Sequence, residues 1–391
     1  MEGWVEAENQ VEVEVLAAVV LLMFVVVEEN TTGYLATCLY ESQTIDFSHL
    51  VGKVQPVPSE IVSFDELLRE YTQKMADLQM AGLWKKTEVK TCEEEELASR
   101  PCLESLCPQR RPTTPEDNLR SVLSTVSELD HQHLSLIPGL FSDPPSNKRV
   151  MFVTAASSNH FCESQGLMRN LHQNVFPYIR NYTFVYYDLG LWPWQRNQVM
   201  RDCRCELRRF PVELMPPRLQ NLRCYAWKSF IIQANLPKAD ILVWVDSSVR
   251  FWNKTMPQLL DDVEIRGIVT YADVHSVAQH SLKETMNYMK EDVCSLAPVA
   301  EDHGGFLLLH NERWIREAVI KPLVACAMSP KCMCPRYPPN VIVCDTDIRK
   351  YNKCHRFDQS AINIILAKLF RDHKGSFHSP YNEFPNVTLA R

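Results

Sequence analysis

From Lys148 onward, short runs of branched and aromatic apolar residues alternate with stretches whose apolar positions recur every three or four residues. The first kind reads as buried strands, over 150–156, 183–187, 241–245, 267–271 and 306–309. The second kind reads as helices near 225–235, 312–326 and 358–370. That alternation predicts an α/β fold in which helices sandwich a mainly parallel sheet. Further back, Phe64, Leu67, Leu68, Tyr71 and Met75 fall at helical steps, so 53–84 is expected to be largely helical. Residues 85–117 break the pattern with the run Glu93 to Glu96, Arg110-Arg111 and the prolines 101, 108, 112 and 115, and read as a linker or stem. A short helical stretch follows at 118–134, and Pro144-Pro145 closes this half. The organisation expected is an N-terminal segment 1–52, a partly helical stem 53–147 and an α/β domain 148–391.

Hydrophobic residues make up 46% of the chain and charged ones 23%, which is enough apolar material to bury a core and excludes a wholly disordered chain. The formal net charge of -7 gives no electrostatic footprint for DNA or RNA, so no nucleic-acid partner is expected. Glycine is scarce, at 11, and neither G-x-G-x-x-G nor G-x-x-x-x-G-K-S/T occurs. G-x-S-x-G and H-E-x-x-H are absent as well, which removes the common hydrolase and zinc-protease patterns.

The 14 cysteines include two C-x-C pairs, Cys203/Cys205 and Cys332/Cys334, and no C-x-x-C. That spacing speaks against a zinc site and for a secretory disulfide set whose connectivity is not readable from sequence. Four N-x-S/T sequons, at Asn30, Asn181, Asn253 and Asn386, agree with a lumenal setting. Val15 to Val27 form a run of 13 apolar residues, the length of a signal h-region rather than of a full span. Its flanks are acidic and no Lys or Arg precedes Lys53, so it reads either as a degraded signal anchor, through which the chain could attach to a membrane, or as a buried strand or helix.

Three stretches carry candidate chemistry. In YAWKSFIIQANLPKADILVWVDSSVRF (225–251) a helix and a Leu-Pro break lead into a buried strand that ends in Asp246-Ser247-Ser248. A carboxylate beside hydroxyls at a strand end suits a hard divalent cation, and equally suits a turn with a serine cap. In CHRFDQSAINIIL (354–366) Asp358 opens an apolar helix. It could cap that helix, or with Gln359 point into a cleft; Asn363 shares a face with only part of this set. In Glu301-Asp302-His303-Gly304-Gly305 two glycines before a buried strand permit close approach of a ligand, and Glu301 and Asp302 could serve as acid or base or stand as solvated loop acids. Asp188, at the end of another strand, is a site candidate or a turn former.

Taken together, in this order and spacing, the stretches resemble the nucleotide-sugar glycosyltransferases of the GT-A fold, a Rossmann-like architecture. There a helix, a Leu-Pro turn and a strand lead into Asp-x-Asp. DQSAIN (358–363) resembles the Asp-Gln-x-x-x-Asn pattern of the retaining, glycogenin-like group. VTAASSNHFCES (153–164), YYDLGL (186–191), YAWKSF (225–230), WVDSS (244–248) and HRFDQSAINIIL (355–366) are similar to a nematode- and invertebrate-rich family of glycosyltransferase-like proteins that lacks a defined reaction. The resemblance spans somewhat over half the chain, and implies a nucleotide-sugar donor, UDP-linked, and a glycan or glycoprotein acceptor in the Golgi or the wider secretory lumen. It implies that Thr154, Ala155 and Ser157 line the nucleotide pocket, that Asp188 sits near the uracil or ribose, and that Lys228 approaches sugar or phosphate. Asp246 and Ser248 would hold Mn²⁺ or Mg²⁺, with His378 completing the shell and His373 behind it. Gly304 and Gly305 would form the floor, Asp358 and Gln359 would contact the transferring sugar, and Asp302 would be a catalytic acid or base. The departure is Ser248, a neutral and weaker ligand where the family pattern has a second carboxylate. It keeps open a catalytically inactive GT-A fold used as a lumenal binding or scaffold module. A disulfide-rich secreted protein without sugar chemistry, the third reading, predicts that Asp246 and Asp358 do not meet.

Overall fold

The computed structural model describes residues 50, 53–54, 62–86, 113–141, 148–252, 254–336, 344 and 351–379, all within one compact unit, 45–391. The apolar run 15–27 and the sequons at Asn30, Asn253 and Asn386 lie outside the described residues. Among the described residues no helix is long and apolar enough to cross a membrane.

A short helix over Glu128–Leu134 and two longer ones, α1 (Phe64–Met80) and α2 (Pro115–Leu123), precede the sheet. Side chains cap the longer two: Ser63 accepts from the Glu66 amide, and Thr114 forms a reciprocal capping box with Asp117. The α/β part then runs β1 (Val150–Ala156), α3 (Phe161–Asn174), β2 (Tyr182–Asp188), α4 (Pro193–Asp202), β3 (Glu206–Arg209), α5 (Ala226–Asn235), β4 (Ile241–Val245), α6 (Met256–Arg266), β5 (Ile268–Val269), β6 (Ala272–Ser276), β7 (Ala300–Asp302), β8 (Phe306–His310), α7 (Lys321–Met328) and α8 (Asp358–Phe370). The main sheet has the order β3-β2-β1-β4-β8-β5. The first four of these strands are parallel, and β8 runs antiparallel to both its neighbours. β6 and β7 form a separate antiparallel pair.

The expected mixed α/β architecture with a mainly parallel sheet is therefore present, with small differences. The strand expected over 267–271 is only Ile268–Val269, and the helix expected over 312–326 contains a five-residue π stretch, Arg316–Ile320, before α7. β4 reads as an unbroken apolar run, and β1 as one interrupted only by Thr154, because both faces are covered. Met151, Val153, Leu242 and Trp244 pack with Phe230, Val324 and Ile365 on the side of α5, α7 and α8. Phe152, Val243 and Val245 pack with Leu167, Leu171 and Leu260 on the side of α3 and α6. Each such side chain contributes roughly 1.5–3 kcal/mol of burial energy. The helices of the expected stem join the first of these layers: the Tyr71 hydroxyl and Asn118 Nδ2 both donate to the Leu369 carbonyl, and Lys74 Nζ lies 2.7 Å from Glu312.

Cysteine sulfurs pair as Cys203–Cys205, Cys224–Cys334, Cys326–Cys332 and Cys344–Cys354, while Cys162 is free. The only group of three metal-ligating residues with convergent atoms among the described residues is His280, Cys344 and Cys354. Its two sulfurs are spent on one another as a disulfide, so it offers no thiolate.

Candidate active site

Parallel β1, β2 and β4 end on one edge of the sheet, and antiparallel β8 begins there. The register pairs Val245 with Phe306, so the residues just outside the two strands face each other, and the Asp246 amide donates to the Gly305 carbonyl at 2.8 Å. This brings two of the candidate stretches together without any side chain taking part.

Lys228 brings in the third. It lies in the first turn of α5, only 5% exposed. Its Nζ sits 3.1 Å from Asp246 Oδ1 and 2.6 Å from Asp358 Oδ2, and donates to the Gly304 carbonyl at 3.1 Å. Burial opposes its charge, but the two carboxylates more than offset this and raise its pKa. The Asp358 carboxyl is also raised above the usual range: burial, seconded by Asp246, pushes it up, and Lys228 holds it back. The capping alternative for Asp358 does not apply. It is the first helical residue of α8, Phe357 holds the cap position, and no side chain caps that end.

Gln359 and Asn363, four apart on α8, address the glycine loop. The Gly304 amide donates to Gln359 Oε1 at 3.0 Å. Asn363 Oδ1 accepts from the Asp302 amide at 2.7 Å, and its Nδ2 donates to the Asp302 and Gln359 carbonyls. A Cβ on Gly304 would lie 2.8 Å from Gln359 Cβ, so only glycine allows this approach. The amide nitrogen Nε2 of Gln359 is buried with no hydrogen-bond partner among the described residues, a donor that a substrate oxygen would satisfy. On the other flank, Trp244 Nε1 donates to Asp246 Oδ1 at 2.7 Å. Neither Asn363 as a strut nor Trp244 as an orienting group was expected. The signal for Trp244 was its spacing, two residues before Asp246 and so on the same strand face. Lys228, Asp358 and Gly304 share a mainly apolar cavity with Ile232, Trp244 and Leu307, and Asp302 and His303 also line it.

Several expected roles need correction. Thr154 and Ala155 lie within β1 rather than beyond it, and both are buried; only Ser157 follows the strand, half-buried and donating to Asn159. Asp188 is the last residue of β2, 2% exposed, and is saturated by the Gly190 and Leu191 amides and by Arg196. A carboxylate engaged in this way shapes a turn and is not free to bind a ribose. Asp302 is sealed at 2% exposure between Lys374 at 2.7 Å and His378 at 2.8 Å. Burial works against its charge, yet Lys374 and His378 hold its carboxyl down to about 2, so it is a buried anion and not an acid or base poised near neutrality. His378 is correspondingly committed to Asp302, and His373 stacks on Trp84 with ring centroids 4.5 Å apart. His378 is thus engaged through Nε2, and His373 packs on Trp84 rather than on Asp246 or Ser248.

The donor set left for a divalent cation is Asp246, whose side chain keeps 31% exposure, and half-buried Ser248. One carboxylate and one hydroxyl match a cation that retains waters and takes its remaining ligands from substrate phosphates. They do not match a cage built by protein alone.

A family model described as "Protein of unknown function (DUF1647)" matches residues 123–233, from the end of α2 into α5, and includes Lys228 but neither aspartate. No curated protein matches the chain. Among solved structures, the bifunctional glycosyltransferase WbbM is similar at 15% identity and TM-score 0.37 over 63% of this chain and 44% of its own. The chain thus spans less than half of that protein. The galactosyltransferase LgtC, solved with donor and acceptor sugar analogs, is similar at 14% identity and TM-score 0.34 over 57% and 71%. The mannosyltransferase Ktr4p from S. cerevisiae is similar at 8% identity and TM-score 0.32 over 73% and 77%. The architecture described above rests on strand order and register, not on these likenesses.

Proposed function

We propose that the chain is a glycosyltransferase that moves a sugar from a nucleotide-sugar donor, UDP-linked, to a glycan or glycoprotein acceptor in the secretory lumen. The observation that carries this reading is the Asp246–Lys228–Asp358 bridge at the strand-end edge, with the unpartnered Gln359 amide beside it. Ligands bind at this edge in sheets of this kind. In the transfer, the C1–O bond to the diphosphate breaks and its electron pair leaves with the phosphate oxygen. The acceptor oxygen forms the new bond to C1, and its proton passes to the leaving diphosphate. Lys228 is fixed where it can face charge developing on that leaving group, and such preorganised electrostatics are a large catalytic term. Gln359 Nε2 would donate to a sugar hydroxyl, and Asp358, tied to Lys228, would orient the ring. Asp246 and Ser248 would hold Mn²⁺ or Mg²⁺, which when bound would neutralise further diphosphate charge. The disulfides and the exposed Asn181 sequon support a lumenal setting.

The test is hydrolysis of UDP- and GDP-sugars with added Mn²⁺ by the wild type, Asp246→Ala and Asp358→Ala. Turnover that both substitutions abolish supports the enzyme, and no turnover with any donor removes it. Ser248 favours one second reading, an inactive fold that binds without transferring. UDP binding by calorimetry in the absence of turnover would select it.

A further inference from the structure

Two aromatic residues at the site hold backbone conformations that bulky side chains rarely adopt. Tyr225, immediately before α5, has φ 55°, and Phe357, immediately before α8, has φ 47°. One precedes the helix that carries Lys228 and the other the helix that begins with Asp358. Unfavourable backbone geometry of this kind persists where the surrounding structure enforces it, and it collects at functional sites. Its result here is a ring pair: the Tyr225 and Phe357 centroids are 5.6 Å apart with their planes tilted by 34°, and Tyr225 also packs against Trp227 at 6.1 Å.

The pair is neither buried core nor isolated surface. Tyr225 is 38% exposed, whereas nearly all of α5 behind it is buried. Lys228 Nζ lies 6.0 Å from the Tyr225 ring centroid. The charges around the ring are mostly acidic. Burial raises the Tyr225 hydroxyl above the usual phenol range, Asp358, Asp246 and Glu163 add to that, and Lys228 opposes it. Glu163 reaches the same rim through α3 and accepts from the Ser247 hydroxyl at 3.2 Å. A part-exposed aromatic pair beside an acidic rim suits a ligand with one apolar face and several hydroxyl donors. A pyranose ring presents a face of C–H groups that packs on an aromatic ring and a girdle of hydroxyls that donate to carboxylates. A polypeptide hydroxyl acceptor has no such face.

We propose that Tyr225 and Phe357 form the acceptor subsite, on which a pyranose ring stacks with its hydroxyls turned toward the acidic rim at Glu163, so that the acceptor is a glycan rather than a protein side chain. This rests on the glycosyltransferase reading and deepens it by naming the acceptor class. Tyr225 is a positioning residue for the acceptor. It holds the ring that carries the attacking hydroxyl and takes no part in breaking the donor bond.

The experiment uses the full chain with UDP at saturation and a panel of methyl pyranosides (galactoside, glucoside, mannoside, xyloside and N-acetylglucosaminide), followed by saturation-transfer NMR. UDP binding is measured in parallel by calorimetry. The variants are Tyr225→Phe, which keeps the ring, Tyr225→Asn, which removes it with a residue that accepts positive φ, and Phe357→Leu. At least one pyranoside is expected to bind the wild type and Tyr225→Phe equally, with saturation strongest at its C–H face, and to bind Tyr225→Asn at least tenfold more weakly while UDP affinity is unchanged. Should Tyr225→Asn lose UDP binding through misfolding, the same loss of pyranoside affinity is expected in Phe357→Leu. UDP binding with no pyranoside bound, or pyranoside binding indifferent to Tyr225→Asn and Phe357→Leu, overturns the subsite and leaves the glycosyltransferase reading standing. Failure of the wild type to bind either UDP or pyranoside overturns both the UDP-linked donor reading and the subsite.

Discussion

Lys228 Nζ lies 2.6 Å from Asp358 Oδ2 with both residues buried, and the same ammonium reaches Asp246 at 3.1 Å. One cation thus links the helix before β4, the strand end and the start of the last helix. Removing it leaves Asp358 as an uncompensated buried carboxylate, and breaking a buried pair from one side costs about 3–5 kcal/mol. Lys228→Met is therefore expected to lower unfolding stability by about that amount in urea titration. Adding Asp358→Asn should recover much of the loss, because the stranded charge is gone. A double variant no more stable than Lys228→Met would show that the pair is not coupled.

The glycine loop makes a second, independent prediction. Gly304 meets the Gln359 side chain so closely that a methyl group would sit 2.8 Å from its Cβ. Gly304→Ala must push either the loop or the start of α8 aside, at a cost of about 1–3 kcal/mol for overpacking. Donor hydrolysis should fall as well, since the displaced group carries the Nε2 proposed to donate to a sugar hydroxyl. Equal activity in Gly304→Ala and wild type would mean that the contact is not part of the site.

These contacts explain which parts of the molecule were legible in the sequence. β1 and β4 were plain because burial on both faces makes them nearly continuous apolar runs, whereas β3, the sequence Glu-Leu-Arg-Arg, lies at the sheet edge and carries no such run. The positions of Asp246 at a strand end and of Asp358 at a helix start were legible because both are local features. Asp188 offered the same local signal and turned out to be consumed by two amides and Arg196, since saturation depends on neighbours that the pattern does not specify. The role expected of His378 failed for a related reason. The chain returns to pair Thr270 with His378, which delivers the imidazole to Asp302, and nothing in the local sequence records that return.

Ser248 is where the donor set is weakest, so restoring a carboxylate there tests whether a cation belongs to the site. Ser248→Asp is expected to tighten Mn²⁺ binding in the presence of UDP by about tenfold or more, because a hard cation gains a charged oxygen ligand. Asp246→Asn in the same background should abolish the gain. Calorimetric titration of Mn²⁺ into the UDP-bound protein reads both effects, and a Ser248→Asp variant with unchanged Mn²⁺ affinity would place the cation elsewhere or remove it.

Asp302 governs the acid limb of stability. Its carboxyl is held down to about 2 by Lys374 and His378 despite burial. A carboxylate whose folded pKa lies below its unfolded value of roughly 3.9 stabilises the fold above that value, and the contribution is lost as pH falls toward the folded pKa. The gap corresponds to about 2–3 kcal/mol at neutral pH. Between about pH 4 and pH 2 the wild type should therefore lose stability more steeply than Asp302→Asn, which has no proton to take up at this position. Asp302→Asn should also start lower at pH 7, because Lys374, buried at 1% exposure, then lacks its counter-charge. Urea midpoints measured across that range decide the matter: parallel pH profiles for the two proteins would show that the Lys374–Asp302–His378 cluster does not set acid stability.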